Sequence, residues 1–173
     1  MEITKALPSN LSELAEFARS TYSTAFGKEM GLAALNQHLT DKMTDEHFKE
    51  MHLADVFYLV RENGELVGFA QVGIVDKTYE KHVADFDPSG RELRRLYVKT
   101  EWQSQGIGSE LIAKALGDLE MTGIKNAYVT TWETNFGAQR LYRKHGFDKI
   151  GEIPEYCGEG KLNGYEYIMV RRS

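Results

Sequence analysis

The segment from Trp102 to Glu110, WQSQGIGSE, places two glycines between a strand-like run and a helix-like run. The run before it, RELRRLYVKT, is typical of a strand, and the run after it, LIAKALGDLEMTG, is typical of a helix. The first N–H groups of a helix have no partner within the helix, and they carry the positive end of its dipole. Because glycine lets a ligand approach the backbone closely, this arrangement predicts a binding site for an anion.

Three anionic ligands suit such a turn, and the sequence excludes one of them and disfavours another. A Walker P-loop requires Gly-Lys followed by Ser or Thr, whereas this chain has Gly106-Ile107-Gly108-Ser109, so that class is excluded. A dinucleotide fingerprint requires a third glycine where this chain has Leu111, although Glu133 can serve as its acid. That alternative stays open, but the charged preceding strand and the roughly forty residues after Glu133 disfavour it. The third ligand is the pyrophosphate of coenzyme A.

The rest of the chain predicts an α+β fold, with a mixed, mostly antiparallel sheet flanked by helices. A hairpin is expected where Asn63-Gly64 separates two apolar runs, since both residues accept the positive φ of a type I′ turn. The predicted strands cover residues 2–7, 55–62, 65–76, 91–99, 126–132, 147–153 and 164–172. The absence of repeats and linkers predicts a single domain over residues 1–173.

Helices are predicted where apolar residues recur at helical spacing. They cover residues 11–26, 30–52, 106–122 and 135–146, with a break near Thr40-Asp41 and a new helix opening at Asp45. Asn135 is expected to cap the last helix, and Gly123 and Gly146 are expected to end the last two. Loops are predicted at 77–90 and 155–163.

Composition limits the classes of partner and compartment. The chain has 21 basic and 26 acidic residues, and its formal charge of −5 disfavours nonspecific nucleic-acid binding and is compatible with a cationic substrate. The N-terminus lacks the apolar core of a signal peptide, and no apolar run approaches the roughly 20 residues of a membrane span. We therefore expect a cytoplasmic protein without a membrane or nucleic-acid partner. One cysteine, Cys157, and histidines without ligand spacing predict no metal.

Two segments resemble the Gcn5-related N-acetyltransferases. QSQGIG, within YVKTEWQSQGIGSELI, is similar to the family's Gln/Arg-x-x-Gly-x-Gly/Ala motif between its central strand and helix. WETNFGAQRLYRKHGF resembles the family's second motif, with Asn, Ala, Tyr and Gly-Phe at matching positions. The element order also matches over nearly the whole chain. The resemblance implies the acyl-CoA N-acyltransferase (GNAT) fold and an enzyme that transfers the acetyl group of acetyl-CoA to a small-molecule amine.

A narrower resemblance concerns the acceptor. TYSTAFG, ELRRLYV and TWETNFGAQRLYRKHGF are similar to segments of the PaiA-type polyamine acetyltransferases, which implies spermidine or spermine as the acceptor. Two alternatives stay open: a protein N-terminus or lysine as the acceptor, and a CoA-binding module without turnover. The edge strands of this fold can pair between subunits, which allows a homodimer. The acidic residues that could bind a polyamine, unless they are simply solvated, are Asp85, Asp87, Glu155 and Glu159.

The resemblance also implies roles in binding the coenzyme. Backbone groups of Leu96, Tyr97 and Val98 would pair with the pantetheine arm as an added strand would, and an N–H near Leu96 would donate to the acetyl carbonyl. Asn135 and Ala138 would contact the coenzyme arm, together with Tyr142. The residues that would cradle the pyrophosphate are Gln103, Ser104, Gln105, Gly106, Ile107, Gly108 and Ser109.

Tyr142 and Glu92 are the candidate catalytic residues. The pKa of a free tyrosine is about 10 and that of a thiol about 8.5, so Tyr142 would keep its proton and donate it to the leaving thiolate. Its alternative role is aromatic packing. Glu92, on the central strand, is a candidate base for the attacking amine, directly or through a water, and its alternative role is pairing with Arg94. No covalent acetyl-enzyme is required.

Overall fold

The computed structural model describes residues 1–157 and 161–173. Its strands are β1 Glu2–Lys5, β2 Val56–Glu62, β3 Glu65–Ile74, β4 Arg91–Val98, β5 Asn126–Trp132, β6 Asp148–Cys157 and β7 Lys161–Arg172. Its helices are α1 Leu11–Met30, α2 Leu32–Lys42, α3 Asp45–His52, α4 Ile107–Met121 and α5 Phe136–Lys144. Short 3₁₀ turns cover Pro8–Asn10, Lys77–Lys81 and Thr100–Trp102.

In the described ranges, seven strands form one mixed sheet in the order β1-β2-β3-β4-β5-β7-β6. The β1/β2, β5/β7 and β6/β7 pairs are antiparallel, with Ile3 opposite Val60 in the first of them. The β4/β5 pair is parallel, and its register places Glu92 opposite Tyr128. The predicted α+β class, with a mixed and mostly antiparallel sheet flanked by helices, is confirmed.

The chain divides into two compact units. The first contains Met1–Gln71 and Arg95–Leu111, and the second contains Val72–Arg94 and Ile112–Ser173. The first unit buries an aromatic and aliphatic core whose largest members include Leu14, Phe48, Phe57 and Phe69. The second unit buries a core that includes Tyr79, Val83, Tyr128, Ile168 and Val170. The expected single domain over residues 1–173 stays a prediction.

Several turns form where the sequence predicts them. Asn63 (φ 51°) and Gly64 (φ 84°) both have positive φ and join β2 to β3, as a type I′ hairpin requires. α4 ends before Gly123, and α5 ends before Gly146, both of which also have positive φ. Glycine adopts this backbone conformation without the steric cost that other residues have, so these helix ends are encoded locally.

The helix break predicted near Thr40-Asp41 is wrong. Nε2 of Gln37 donates to Oδ2 of Asp41 over 2.7 Å, an i,i+4 pair that suits continued helix, and α2 runs on to Lys42. The break lies instead at Met43-Thr44, because Oγ1 of Thr44 accepts from the N–H of His47 (3.1 Å) and caps α3. α1 is also longer than predicted, and Gly31, with a φ of 76°, separates it from α2.

The two predicted loops contain more regular structure than their polar sequences suggest. Asp76 caps a 3₁₀ turn at Lys77–Lys81, because its Oδ1 accepts from the N–H of Thr78 over 2.8 Å. Strand pairing extends into the predicted loop 155–163, where Glu155 lies opposite Gly164 and Tyr156 opposite Leu162. Residues 158–160 of that loop lie outside the described residues.

A buried polar network stabilises the first unit. The Gln71 side chain is fully buried, and its Nε2 donates to Oδ2 of Asp55 over 2.6 Å. Arg95 donates to the side-chain oxygen of Gln71, and its Nη2 donates to the Lys42 carbonyl over 2.9 Å, at the end of α2. The Arg95 guanidinium also lies 5.2 Å from the centre of the Phe48 ring. The network links β3, β4 and α2 through the buried Asp55 and Gln71 side chains and the partly buried Arg95.

Replacing Asp55 by Ala should lower the free energy of unfolding by about 1–3 kcal/mol, because it leaves the buried Gln71 amide without this acceptor. The matched control is Asp41→Ala, which removes the Gln37–Asp41 hydrogen bond, a bond of the same type at an exposed helix position. That change should stay within about 0.5 kcal/mol. Urea unfolding of both variants measures the difference, and equal effects would contradict the importance of the network.

Candidate functional site

The glycine turn presents its backbone to open space. Ser104 and Gly106 both have positive φ, at 61° and 90°, and α4 begins at Ile107. A Cβ built on Gly106 would meet no atom within 4 Å. The N–H of Glu110 bonds to the Gly106 carbonyl over 3.0 Å, so the amides before Glu110 form the first turn of the helix. This geometry fits an anion such as a pyrophosphate.

Hydrogen bonds and close packing hold the turn to the end of β4. Nε2 of Gln103 donates to the Val98 carbonyl over 3.1 Å. A Cβ on Gly68 of β3 would lie 3.0 Å from the Tyr97 carbonyl and 3.2 Å from Cγ2 of Ile107, so glycine makes this close approach possible without displacing its neighbours. Ile107 itself is buried. The structure therefore brings the predicted strand residues and the predicted turn together within the first unit, and Gly68 is a supporting residue that sequence reasoning missed.

Side chains at the end of β4 belong to the core. The Tyr97 ring packs edge-on against Phe69, with ring centroids 5.4 Å apart and an interplanar angle of 82°. Burial raises the pKa of Tyr97 to about 12. Leu96 and Val98 on either side are partly buried. Tyr97 is thus a packing aromatic, and the groups of this stretch that suit ligand binding are those of the backbone.

Three candidate residues of the second unit lie on or next to α5. Oδ1 of Asn135 accepts from the N–H of Ala138 over 3.1 Å, which makes Asn135 the N-cap. Ala138 and Tyr142 are four residues apart and share one helix face. Tyr142 is 7% exposed, and its ring centroid lies 5.9 Å from that of Phe147. The capping role of Asn135 and the packing of Tyr142 are therefore both present.

Gln139 is a supporting residue that sequence reasoning missed. Its side chain is buried, and its Nε2 donates to the Trp132 carbonyl (3.2 Å) and to the Glu133 carbonyl (2.8 Å). These bonds fix α5 to the end of β5. A signal was available, because Gln139 precedes Tyr142 by three residues and therefore lies near it on one face of the helix.

Glu92 is a buried carboxylate with donors at both oxygens. Its side chain is on β4 and the residue is 5% exposed. The Tyr79 hydroxyl donates to Oε1 over 2.6 Å, and the N–H of Asp76 donates to Oε2 over 3.3 Å. Nη1 of Arg94 lies 3.6 Å from Oε2. Burial raises the pKa of Glu92, while the Tyr79 hydrogen bond and the Arg94 charge act in the opposite direction.

A second carboxyl group of the second unit is electrostatically coupled to Glu92. Burial raises the pKa of Glu166 on β7, a hydrogen bond with Thr130 opposes that rise, and the charges of Glu155 and Glu92 add to it. A nearby like charge disfavours the ionised form of a carboxyl group. Sequence reasoning missed Glu166, because an alternating strand places acidic residues on either face without showing which face is covered.

The predicted acidic candidates have different environments. Oδ1 of Asp87 accepts from the N–H (2.9 Å) and hydroxyl (2.6 Å) of Ser89, and its Oδ2 accepts from Nδ2 of Asn126 (2.7 Å). The Ser89 and Asn126 hydrogen bonds lower the pKa of Asp87, whose carboxylate stabilises its own loop. Asp85 is exposed, Glu155 is partly buried, and Glu159 lies outside the described residues.

No three His, Cys, Asp or Glu side chains gather as ligands for a metal ion in the residues that the structure describes. Within the same ranges, no helix has both the length and the apolar composition that crossing a membrane requires.

Comparison with known proteins places these motifs in a family. Residues 13–147 match the model of the acetyltransferase (GNAT) family. The spermine/spermidine N(1)-acetyltransferase of Bacillus subtilis (strain 168) is 32% identical over 120 residues, which cover 68% of this chain and 74% of that protein. An N-acetyltransferase encoded in the pepI 3′ region of Lactobacillus delbrueckii subsp. lactis is 24% identical over 95% of this chain and 94% of its own length.

A solved structure has a similar fold. The PaiA N-acetyltransferase from Thermoplasma acidophilum, in complex with coenzyme A, superposes with a TM-score of 0.75 at 19% identity over 100% of both chains. The family model, the relatives and the seven-stranded mixed sheet agree with the resemblance in the two sequence motifs. The chain belongs to the GNAT family, and it is an acetyl-CoA-dependent N-acetyltransferase.

Proposed function

We propose that the protein acetylates a polyamine such as spermidine or spermine, by direct attack of the amine on the acetyl group. The observation that carries the acceptor class is the 32% identity with the spermine/spermidine enzyme over 68% of this chain. The charges of Glu92 and Glu155 support it, because they disfavour ionisation of Glu166 and an entering cation would offset that effect. The net charge of −5 favours the approach of a polycation.

In the first unit, the proposed coenzyme contacts are backbone groups. The pyrophosphate would bind the turn at Gln103–Ser109, where Gly106 faces open space at the N-terminus of α4. The pantetheine amides would pair with Leu96–Val98 at the end of β4, as an added strand would. The β4/β5 register covers Arg91 and Glu92, and β4 continues to Val98. An N–H near Leu96 would stabilise negative charge on the acetyl oxygen.

Gly106→Ala tests this binding mode. An L-residue at a φ of 90° costs about 1–2 kcal/mol of stability, and its Cβ would project from the turn that cradles the pyrophosphate. We expect the KM for acetyl-CoA to rise by about tenfold, as loss of a charge-assisted hydrogen bond predicts.

The matched control is Gly64→Ala in the β2/β3 hairpin, where φ is 84° and no atom lies within 4 Å of the added Cβ. It should carry the same backbone cost and leave the KM for acetyl-CoA unchanged. Equal KM values in both variants, from initial rates at varied acetyl-CoA, would contradict the proposed pyrophosphate site.

In the second unit, Tyr142 and Glu92 are the proposed proton donor and acceptor. Acetyl-CoA supplies the activated acetyl group as a thioester. The Tyr142 hydroxyl would protonate the leaving sulfur, and Asn135 and Ala138 on the same short helix would contact the coenzyme arm. Glu92 would take the proton of the attacking amine, directly or through a water. Its raised pKa, caused by burial, brings it closer to the range in which a base works near neutral pH.

Tyr142→Phe removes the hydroxyl and keeps the ring that packs on Phe147. We expect kcat to fall by about 10²–10⁴-fold, the usual contribution of a general acid, with little change in the KM for acetyl-CoA. Tyr58→Phe, at another buried tyrosine, is the control and should retain wild-type kcat. Steady-state kinetics beside thermal unfolding separate chemistry from folding, and a Tyr142→Phe variant with wild-type kcat would exclude the acid role.

The acceptor is tested by following the release of free CoA thiol from acetyl-CoA. Parallel reactions contain spermidine, spermine, a short peptide with a free N-terminus and lysine side chain, or no acceptor. Release with the polyamines alone is the expected result. Release with the peptide alone would replace the polyamine by a protein acceptor, and tight CoA binding without release would indicate a binding module.

A further inference from the structure

We propose that Tyr79 is a positioning residue, whose hydroxyl holds the Glu92 carboxylate in the orientation from which it accepts the proton of the amine. The inference deepens the proposed function, since it rests on Glu92 as the base. It adds a residue that lies in neither family motif and in a segment that the sequence predicts as a loop. Tyr79 acts through Glu92 and has no proposed contact with either substrate.

The 3₁₀ turn and its capping residue together hold both oxygens of the Glu92 carboxylate. Asp76 caps the 3₁₀ turn Lys77–Lys81 through its side chain, and its own N–H donates to Oε2 of Glu92 over 3.3 Å. Tyr79, in the same turn, donates to Oε1 over 2.6 Å. The short O–H···O⁻ distance is typical of a charge-assisted bond. The capped turn therefore orients the carboxylate from two sides.

Tyr79 is a permanent donor in this position. Its residue is 6% exposed, and its ring belongs to the core with Val83, Tyr128 and Ile168. Burial and the charge of Glu92 raise the pKa of Tyr79. The hydroxyl is therefore protonated near neutral pH, where a free tyrosine is also protonated, and its hydrogen bond favours the ionised form of Glu92.

Other groups act on Glu92 from the surrounding elements. Arg94 on β4 favours the carboxylate, whereas the charge of Asp76 disfavours it. On β7, the charge of Glu92 contributes to the raised pKa of Glu166. Burial opposes ionisation most strongly, and among the contributions that favour the ionised form of Glu92 the Tyr79 hydrogen bond is the largest.

Removing the Tyr79 hydroxyl should therefore change the pKa of Glu92 in a defined direction. In a Tyr79→Phe variant the ionised form of Glu92 loses a donor, so the pKa of Glu92 rises further. A base must be ionised to accept a proton, and the acidic limb of the kcat profile should move to higher pH. The rate deficit relative to wild type should be about tenfold larger on the acidic limb than on the plateau, as loss of one hydrogen bond to a charged group predicts.

The experiment compares wild type, Tyr79→Phe and Tyr128→Phe by two readouts. ¹³C-carboxyl NMR follows the titration of Glu92, assigned from the signal that disappears in Glu92→Gln. Profiles of kcat against pH are measured with spermidine, whose own ionisation is common to all variants. Tyr128→Phe removes another buried hydroxyl of the same unit, one that accepts from the N–H of Asp87 over 2.8 Å. It should lower stability and leave both the Glu92 titration and the acidic limb in place.

The inference predicts that Tyr79→Phe moves the Glu92 titration and the acidic limb together, and that adding it to Glu92→Gln causes no further pH-specific loss. An unchanged Glu92 titration overturns it. A shifted titration with an unmoved limb also overturns it, because Tyr79 would then act on a carboxylate that is not the base. If none of the amines causes the wild-type protein to release CoA, the proposed function fails instead. The NMR titration still decides whether Tyr79 controls the ionisation of Glu92.

Discussion

The close approach of backbone to backbone around the glycine turn is the constraint on which the first unit depends. Gly68 lets β3 pass within contact distance of the Tyr97 carbonyl and of Ile107, and a Cβ there would require these neighbours to move by a few tenths of an ångström. Gln103 then fastens the turn to Val98. With β4, the turn and α4 fixed in this way, the N–H groups of the first helical turn point from a rigid support. Rigid donors bind an anion without the entropic cost of being ordered first.

The second unit holds one carboxyl group, that of Glu92, in the buried interior and another, that of Glu166, partly buried. Glu92 and Glu166 both have a raised pKa because burial disfavours their charged forms. The folded protein therefore binds their protons more tightly than the unfolded chain, so these groups reduce stability as the pH rises from the ordinary pKa of a glutamate through the folded pKa. Groups that reduce stability in this way are common at functional sites, where chemistry requires them.

The local signals of the sequence were sufficient for the family, the fold class and the turns. Gly64, Gly106 and Gly146 have positive φ in the structure, and each stands where a glycine pattern predicts a turn or helix end. These features depend on residues that are neighbours in the chain. Local patterns also explain the one wrong helix break, since Asp41 has a low helix propensity but is paired with Gln37 in the folded helix.

Several of the residues that sequence reasoning missed are defined by partners distant in the chain. Gln71 meets Asp55 across 16 positions, and Tyr79 meets Glu92 across 13. Gln139 and Glu166 are polar residues whose burial depends on which face of an element is covered. Periodicity reports that a face exists, but it does not report which polar side chains on that face find partners. These supporting contacts therefore required coordinates.

The central claim is that the glycine turn binds the pyrophosphate of the coenzyme. Isothermal titration of coenzyme A and of pantetheine, which shares the thiol arm but lacks the pyrophosphate and the adenosine 3′-phosphate, tests it when wild type is compared with Gly106→Ala. We predict that coenzyme A binds about a hundredfold or more tightly, because several charge-assisted hydrogen bonds at a helix N-terminus contribute only to its affinity. In Gly106→Ala this difference should shrink. Equal affinities of the two ligands for the wild-type protein would contradict the account.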